Sequence, residues 1–465
     1  MVAPAWRSWL PWCVVIAAGW TAIALYSYPG FTSYDSIEQL AQARGLMPLS
    51  DWHLPIMPLT WRVLDKVIAG PLLMVLLQCS LLLAGMQALL TRVLRPWIAV
   101  LATLAVFLWP PVFTLMAIVW KDSLMAGVLV ASFAALTSAR RGARIAALAG
   151  FFYAAMLRHN AIIAIAPMLV LVAPWPARQP LWRRRLAGLA ITLVVFGAAQ
   201  LANRALITER RYPFATSLAT YDIAGMLRYA DPLPDATLDR MLAGVPLVAH
   251  DHIQRRAELA WSPLSWFPSV DSPRRLMTRP ATAAERDAVV SAWWRLIRDQ
   301  PRAYLLARLR VMRELIGLRM YETGRWEVMN AAGEDVVLLA GYGIHIARPD
   351  WQVRLSWWLA ELSGTSLLFR AWPYLLVALA LAIAARRNLT VLTLVASGLV
   401  YEAALFVIAP SVDFRYSTWL VLCTLIAFAL HLAQIRPSQN QTSRGRLNTS
   451  GSRGVSKSIS VPRAI

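Results

Sequence analysis

The chain has 465 residues, of which 58% are hydrophobic and 15% charged, and its formal net charge is +21. With 21 tryptophans and a mean hydropathy of +0.51, this composition excludes a water-soluble globular domain and predicts an all-α protein with several membrane spans. The positive charge is first explained by membrane orientation, because Lys and Arg collect in cytoplasmic loops, so no nucleic-acid partner is expected.

Ten apolar stretches, each bounded by charged residues, Pro or Trp, are candidate spans. They are 10–28, 67–90, 97–118, 123–138, 145–157, 161–173, 186–203, 367–385, 389–409 and 416–435. The segments between them sort by charge. One set holds 18 Lys and Arg and no acid, whereas the other set, with Glu402 inside a span, holds all 25 acids. This segregation predicts cytoplasmic termini, with the basic set against anionic lipid. High Ala, Arg, Leu and Trp usage favours a bacterial inner membrane.

Residues 145–173 allow two interpretations. Two stretches of about 13 residues give roughly 20 Å of helix each, against a membrane core of about 30 Å. A single long helix would invert the topology of everything after it and destroy the charge segregation. A hairpin with a recessed turn at Arg158-His159-Asn160 preserves the segregation, and it is the preferred prediction.

The chain is predicted to comprise four regions: an N-terminal membrane module (1–203, about seven spans), an extracytoplasmic segment (204–366), C-terminal spans (367–435) and a disordered basic tail (436–465). In the extracytoplasmic segment, an apolar stripe with interleaved arginines predicts helix from Ala283 to about Leu318, broken near Pro301. This pattern is typical of helices that lie on a membrane surface and bind lipid headgroups.

The first outer loop, 29–66, is the first polar stretch after an apolar span. Ser36–Arg44 has a helical alternation of apolar and polar residues, and Ser33 or Ser36 is a candidate cap. Asp35 would then lie at the mouth of whatever the spans enclose. Four further polar clusters lie at short turns on the same predicted side. The five are Asp35; Asp51, Trp52 and His53; Lys121 and Asp122; Arg158, His159 and Asn160; and Asp413, Phe414, Arg415 and Tyr416.

These motifs resemble the GT-C superfamily of integral-membrane glycosyltransferases, which includes the protein mannosyltransferase and aminoarabinose transferase types. The resemblance rests on Y-D-S at 34–36, D-W-H-L-P-I-M-P-L at 51–59, K-D-S-L at 121–124, R-H-N-A at 158–161 and R-Y at 415–416. It covers the order of spans from 10 to 203 and the last two spans. The chain departs from the family at Ser36, where many members have a second acid, and at Leu54, where they have Pro.

The resemblance implies sugar transfer from a polyprenyl-phosphate donor to a lipid, glycan or protein acceptor. A carboxylate can take the proton of the acceptor hydroxyl, and Asp35 is the candidate base. Arg158 and Arg415, with Lys121 third, are candidates for binding the phosphate. Asp51 and His53 are further catalytic candidates, and Asp122, His159, Tyr416 and Trp52 are candidate substrate contacts.

Several alternatives remain open from the sequence alone. His53 can orient the base, bind sugar hydroxyls or hold a divalent metal with Asp51, and no cofactor is certain. A transporter or flippase of a lipid-linked glycan would place ionisable residues within its spans, and only Glu402 lies there. A glycan polymerase or ligase of another membrane fold is disfavoured by the Asp35 loop and the 51–59 motif.

Overall fold

The computed structural model describes residues 6–172, 179–318 and 334–435. The predicted disordered tail at 436–465 lies outside the described residues and stays a prediction. The described residues up to 206 are helical apart from short connections. The helices are α1 (Trp6–Ser27), α2 (Tyr34–Ala43), α3 (Ile56–Asp65), α4 (Leu72–Leu90), α5 (Pro96–Phe107), α6 (Pro110–Met116), α7 (Lys121–Leu136), α8 (Arg141–Leu157), α9 (Ala161–Val172) and α10 (Leu181–Leu206).

The rest of the described chain is also helical, and extended residues in these ranges pair only as isolated bridges. A π-helical turn, Phe214–Ala219, precedes α11. The helices are α11 (Thr220–Tyr229), α12 (Asp235–Met241), α13 (Ile253–Ala260), α14 (Phe267–Asp271), α15 (Ala283–Asp299), α16 (Pro301–Leu315), α17 (Glu334–Ala340), α18 (Asp350–Thr365), α19 (Ala371–Ala384), α20 (Leu389–Ile408) and α21 (Thr418–Ile435), with 3₁₀ turns at Leu367–Phe369 and Phe414–Ser417.

The prediction of a polytopic all-α membrane protein is confirmed, but ten spans are not. Five helical stretches in the described ranges are long and apolar enough to cross a membrane. They are Trp9–Ser27, Leu72–Leu90, Leu181–Leu206, Leu389–Ile408 and Phe414–Ile435. Helices α7, α8, α9 and α19 have only 12 to 17 residues, so the count of ten stays a prediction.

The stretch predicted as one span at 97–118 is two helices. α5 and α6 meet at an angle of 77°, and they make a sixth span only if the bent pair counts as one. The break lies before Pro110 and Pro111, whose rings remove backbone donors and clash with the preceding turn of a continuous helix.

The helix over 145–173 is interrupted, as the hairpin interpretation requires. α8 ends at Leu157 and α9 begins at Ala161, and between them Arg158 has an extended backbone with φ −147° and ψ 134°. One continuous helix is therefore excluded.

The helix pair predicted from Ala283 is present and breaks at Gln300, directly before Pro301. Its arginines do not all face lipid headgroups, and that prediction is wrong for Arg308. Arg308 is fully buried, and Arg295 donates hydrogen bonds to the carbonyl oxygen of Met241. Both guanidiniums are bound by protein groups, which the apolar stripe alone does not reveal.

Helices α4 and α7 pack with their backbones in near contact. A Cβ built on Gly85 would lie 2.6 Å from the backbone nitrogen of Ala131, and one built on Gly127 would lie 2.7 Å from the carbonyl oxygen of Gln78. Small residues permit this approach, as they do between membrane helices generally. Because α7 begins at Lys121, the packing fixes the position of that side chain.

Candidate active site

Asp35 lies in the first turn of α2, and a capping box sets the start of this helix. Ser33 is the N-cap: its hydroxyl accepts from the backbone N–H of Ser36, and the Ser36 hydroxyl accepts from the N–H of Ser33 at 3.1 Å. A carboxylate in the first turn is also favoured by the helix dipole. The two serines named by the sequence therefore both take part, one as cap and one as its partner.

The loop that carries Asp35 is fastened to the turn before α7. The Ser36 hydroxyl donates to the carbonyl oxygen of Val119 at 2.6 Å, and the Trp120 indole N–H donates to the Ser33 hydroxyl at 2.7 Å. Phe31 pairs through its backbone with the same turn. Segments that are far apart in sequence thus place Lys121 beside the first loop.

Lys121 binds the second polar cluster of that loop. Its Nζ lies 3.0 Å from Nδ1 of His53 and 3.4 Å from the carbonyl oxygen of Trp52. An ammonium can only donate, so Nδ1 accepts and the imidazole proton lies on Nε2. Burial, and then the charge of Lys121, lower the pKa of His53, which favours a neutral ring near neutral pH.

The other nitrogen of His53 points between two carboxylates of α2. Nε2 lies 3.5 Å from Oε2 of Glu38 and 3.9 Å from Oδ1 of Asp35, and it is buried without a well-formed hydrogen bond. Glu38 also pairs with Arg211 at 2.6 Å. Glu38 was not among the predicted site residues, although its place three residues after Asp35 puts it on the same helix face.

Arg415, which comes late in the chain, contacts Asp35 and completes the cluster. Its Nη1 lies 3.0 Å from Oδ2 of Asp35, and its Nε lies 2.5 Å from Oδ2 of Asp413. Burial tends to raise the pKa of Asp35, but Arg415, with smaller contributions from His53 and Lys121, outweighs it and holds the pKa well below its usual value. About a third of the Asp35 side chain (31%) remains exposed, so an ionised carboxylate is accessible there.

A second ion pair, between Arg158 and Asp122, joins this cluster through an aromatic ring. The Arg158 guanidinium lies 5.6 Å from the centre of the Tyr416 ring, and the Arg415 guanidinium lies 5.5 Å from it. Arg415 also lies 5.0 Å from the ring of Trp120. Contacts of a cation with an aromatic face are attractive, so Tyr416 holds two like-charged groups near one another.

A small crevice lies beside Arg415 and Tyr416. Its walls combine acidic, cationic and aromatic groups with apolar ones. The lining residues include Asp122, Met125, Tyr401, Arg415, Tyr416 and Trp419.

Asp51 is held away from this ion-pair cluster. Its Oδ1 accepts from the backbone N–H of Arg211 at 2.6 Å and its Oδ2 accepts from that of Tyr212 at 3.2 Å. Tyr212 has φ +52°, a left-handed conformation that costs a side-chain-bearing residue about 1–2 kcal/mol. Asp51 therefore stabilises the backbone that follows α10 and presents Arg211 to Glu38.

Trp52 and His159 also lie outside the ion-pair cluster. The Trp52 ring packs against Trp266 of the segment 204–366, here called the outer segment after its predicted location, with centroids 5.5 Å apart. His159 follows Arg158 in the turn after α8, and its side chain is exposed. Their roles as substrate contacts stay predictions.

A metal site is not supported by the geometry of these side chains. Among residues 6–172, 179–318 and 334–435, no group of three or more His, Cys, Asp or Glu could hold a metal ion. Asp51 and His53, the pair suggested by the sequence, bind different partners: Asp51 the Arg211–Tyr212 backbone, His53 the ammonium of Lys121.

Comparisons with known proteins add little to this geometry. No protein-family model and no curated protein matches the chain. Among solved structures, it is similar to ArnT from Cupriavidus metallidurans bound to undecaprenyl phosphate, with 16% identity and a TM-score of 0.33 over 93% of this chain and 79% of that one. ArnT is a GT-C aminoarabinose transferase. At this TM-score the match carries no argument of its own, so function is argued from the site.

Proposed function

We propose that the chain is a membrane glycosyltransferase that moves a sugar from a polyprenyl-phosphate donor to an acceptor at the outer face of a bacterial cytoplasmic membrane. The observation that carries the proposal is the contact of an accessible, ionised Asp35 with Arg415, beside Lys121 and Arg158. A base and a set of cations in one cluster match the two needs of this reaction: removal of a hydroxyl proton and stabilisation of a departing phosphate.

The reaction proceeds as a displacement at the anomeric carbon of the donor sugar. Asp35 takes the proton of the acceptor hydroxyl, and the acceptor oxygen forms a bond to the anomeric carbon. The bond between that carbon and the phosphate oxygen breaks, and polyprenyl phosphate leaves with the electron pair. Arg158 and Arg415 bind the phosphate oxygens, because a guanidinium fits phosphate in a bidentate manner.

Arg415 changes partner during this cycle. In the structure it binds Asp35, which keeps the carboxylate ionised but weakly basic. A donor phosphate that draws the guanidinium away removes the largest cationic influence on Asp35, whose pKa then rises because burial dominates. The base thereby becomes stronger when the donor is bound.

His53, whose ring is neutral, and Glu38 support this arrangement. His53 holds Lys121 through Nδ1, and its Nε2 proton faces both carboxylates. We assign His53 to orienting Asp35 and Lys121, and Asp51 to positioning the backbone at Arg211 and Tyr212.

The placement of the charges favours an enzyme over a transporter or flippase. Asp35 and Lys121 lie in the first turns of helices, while Arg158 and Arg415 lie in turns between helices. Transporters place ionisable groups within their spans, near the middle of the membrane. Glu402, within α20, accepts a hydrogen bond from Ser417 at 2.8 Å and so has a structural partner.

The test is transfer of label from a panel of radiolabelled polyprenyl-phosphate sugars to a membrane-lipid extract. Arg415→Gln is compared with Arg279→Gln, because both remove an arginine that pairs with an aspartate and only the first lies beside Asp35. We expect transfer by wild type and Arg279→Gln and almost none by Arg415→Gln. Equal transfer by the two variants would refute the role of the cluster.

A further inference from the structure

Arg308 lies in the outer segment but contacts the chain just before Arg415. It is fully buried on α16, and its Nη1 donates to the carbonyl oxygen of Ala409, directly after α20, at 2.7 Å. Its other terminal nitrogen pairs with Asp222. A buried guanidinium that spans a carboxylate and a carbonyl fixes the distance between the segments that carry them.

The Asp222 carboxylate is itself held in place. It lies on α11, is 2% exposed, and accepts from the indole N–H of Trp293 on α15 at 2.8 Å. Arg308 also lies over the rings of Tyr221 and Tyr304, 5.9 and 5.8 Å from their centres. Three helices of the outer segment thus set the position of one guanidinium.

The residues after Ala409 receive further contacts from the same segment. The N–H of Val412 donates to the carbonyl oxygen of Leu264 at 3.0 Å, and Ser411 forms an antiparallel bridge with Ser265. The Ser411 hydroxyl lies 3.2 Å from that of Tyr416. Residues 409–412, the docking loop, are therefore bound to the outer segment immediately before the residues that bind Asp35.

We infer that Arg308 is a positioning residue: through the docking loop it sets where Arg415 and Tyr416 stand relative to Asp35. The inference rests on the proposed function for its kinetic consequence, but the geometric consequence does not depend on any activity. Through this connection, whatever binds the outer segment can also shift the phosphate-binding arginine.

The matched variants are Arg308→Lys and Arg295→Lys. Both replace an arginine of the outer segment that donates to a backbone carbonyl, but Arg295 binds Met241 and not the docking loop. Lysine keeps the positive charge beside Asp222, while the single ammonium cannot span both partners. Thermal unfolding of both proteins identifies any general loss of folding.

The first readout is the maleimide labelling rate of Ser411→Cys in a Cys13→Ser background, where the remaining cysteines, Cys79 and Cys423, are buried. We expect Arg308→Lys to raise this rate several-fold and Arg295→Lys to leave it unchanged. An equal rate in both would overturn the inference, whether or not the protein transfers sugar.

The second readout is steady-state kinetics with the donor that wild type uses. We expect Arg308→Lys to raise the KM for the donor about tenfold, as loss of a charged hydrogen bond does, with the KM for the acceptor unchanged. An unchanged donor KM in a variant with faster labelling would show that the loop moves without affecting phosphate binding and would also overturn the inference. Absence of transfer by wild type would instead contradict the proposed function.

Discussion

Asp35 and Arg415 are 380 positions apart in the chain, and their side chains meet at 3.0 Å. This contact joins the loop after α1 to the turn before α21 and brings polar motifs that are far apart in the sequence into one cluster. The roles of the base, the cations, the aromatic ring and the supporting backbone can each be tested separately.

The acidity of Asp35 predicts an unusual pH dependence. Loss of activity on the acid side of kcat/KM follows protonation of the base in the free enzyme. Because the pKa of Asp35 lies below its usual value, wild-type kcat/KM should stay level from pH ~7 to ~5. Lys121→Gln removes one of the positive charges that lower the pKa of Asp35. Burial then raises this pKa, so the loss of activity on the acid side should move to higher pH. A profile that does not move would remove Lys121 from the electrostatics of the base.

The ion pair of Arg158 with Asp122 predicts a separation of stability from donor use. Arg158→Gln leaves a buried carboxylate unpaired, so it should lower stability by about 3–5 kcal/mol. Adding Asp122→Asn removes that charge and should restore most of the thermal stability without restoring low donor KM. Recovery of donor binding in the double variant would show that Arg158 serves folding only.

Both guanidiniums lie close to the ring of Tyr416, and this predicts which substitutions Tyr416 tolerates. Tyr416→Phe keeps the ring face and should leave donor KM within about twofold, whereas Tyr416→Leu loses two cation–aromatic contacts of about 0.5–1 kcal/mol each. Donor KM should then rise about five- to thirtyfold. Similar kinetics for the two variants would argue that the ring face is unimportant.

Much of the framework was readable from local sequence pattern. The capped helix at Asp35, the interruption at Arg158 and the break before Pro301 follow from short-range rules on caps, turn residues and proline. The bend before Pro110 follows from the same rules, but it was missed because the hydropathy of 97–118 is continuous.

Local sequence pattern does not predict which groups the charged residues bind. Asp51 was predicted to act in catalysis, yet both its oxygens accept from backbone N–H groups that follow α10. Arg308 was predicted to meet lipid and is buried against Asp222. Both partners depend on tertiary packing between distant helices, which leaves no periodic signal in the sequence.

The structural role of Asp51 has its own test. Asp51→Ala removes two hydrogen bonds that hold Tyr212 in a left-handed conformation and should lower stability by about 1–3 kcal/mol. Tyr212→Gly relieves the backbone strain, so the double variant should recover part of the stability and of the activity. If Asp51 were catalytic, the double variant would recover no activity.

The most direct measurement compares wild type with Asp35→Asn in the labelled-donor assay, with the folding of both proteins verified by thermal unfolding. The near-isosteric amide keeps the shape of the side chain but cannot accept the acceptor proton as a carboxylate does. We expect label to pass to a new product with wild type and transfer to fall at least about 100-fold with Asp35→Asn. Wild-type turnover by folded Asp35→Asn would contradict Asp35 as the base, and no transfer by folded wild type with any donor would contradict the glycosyltransferase itself.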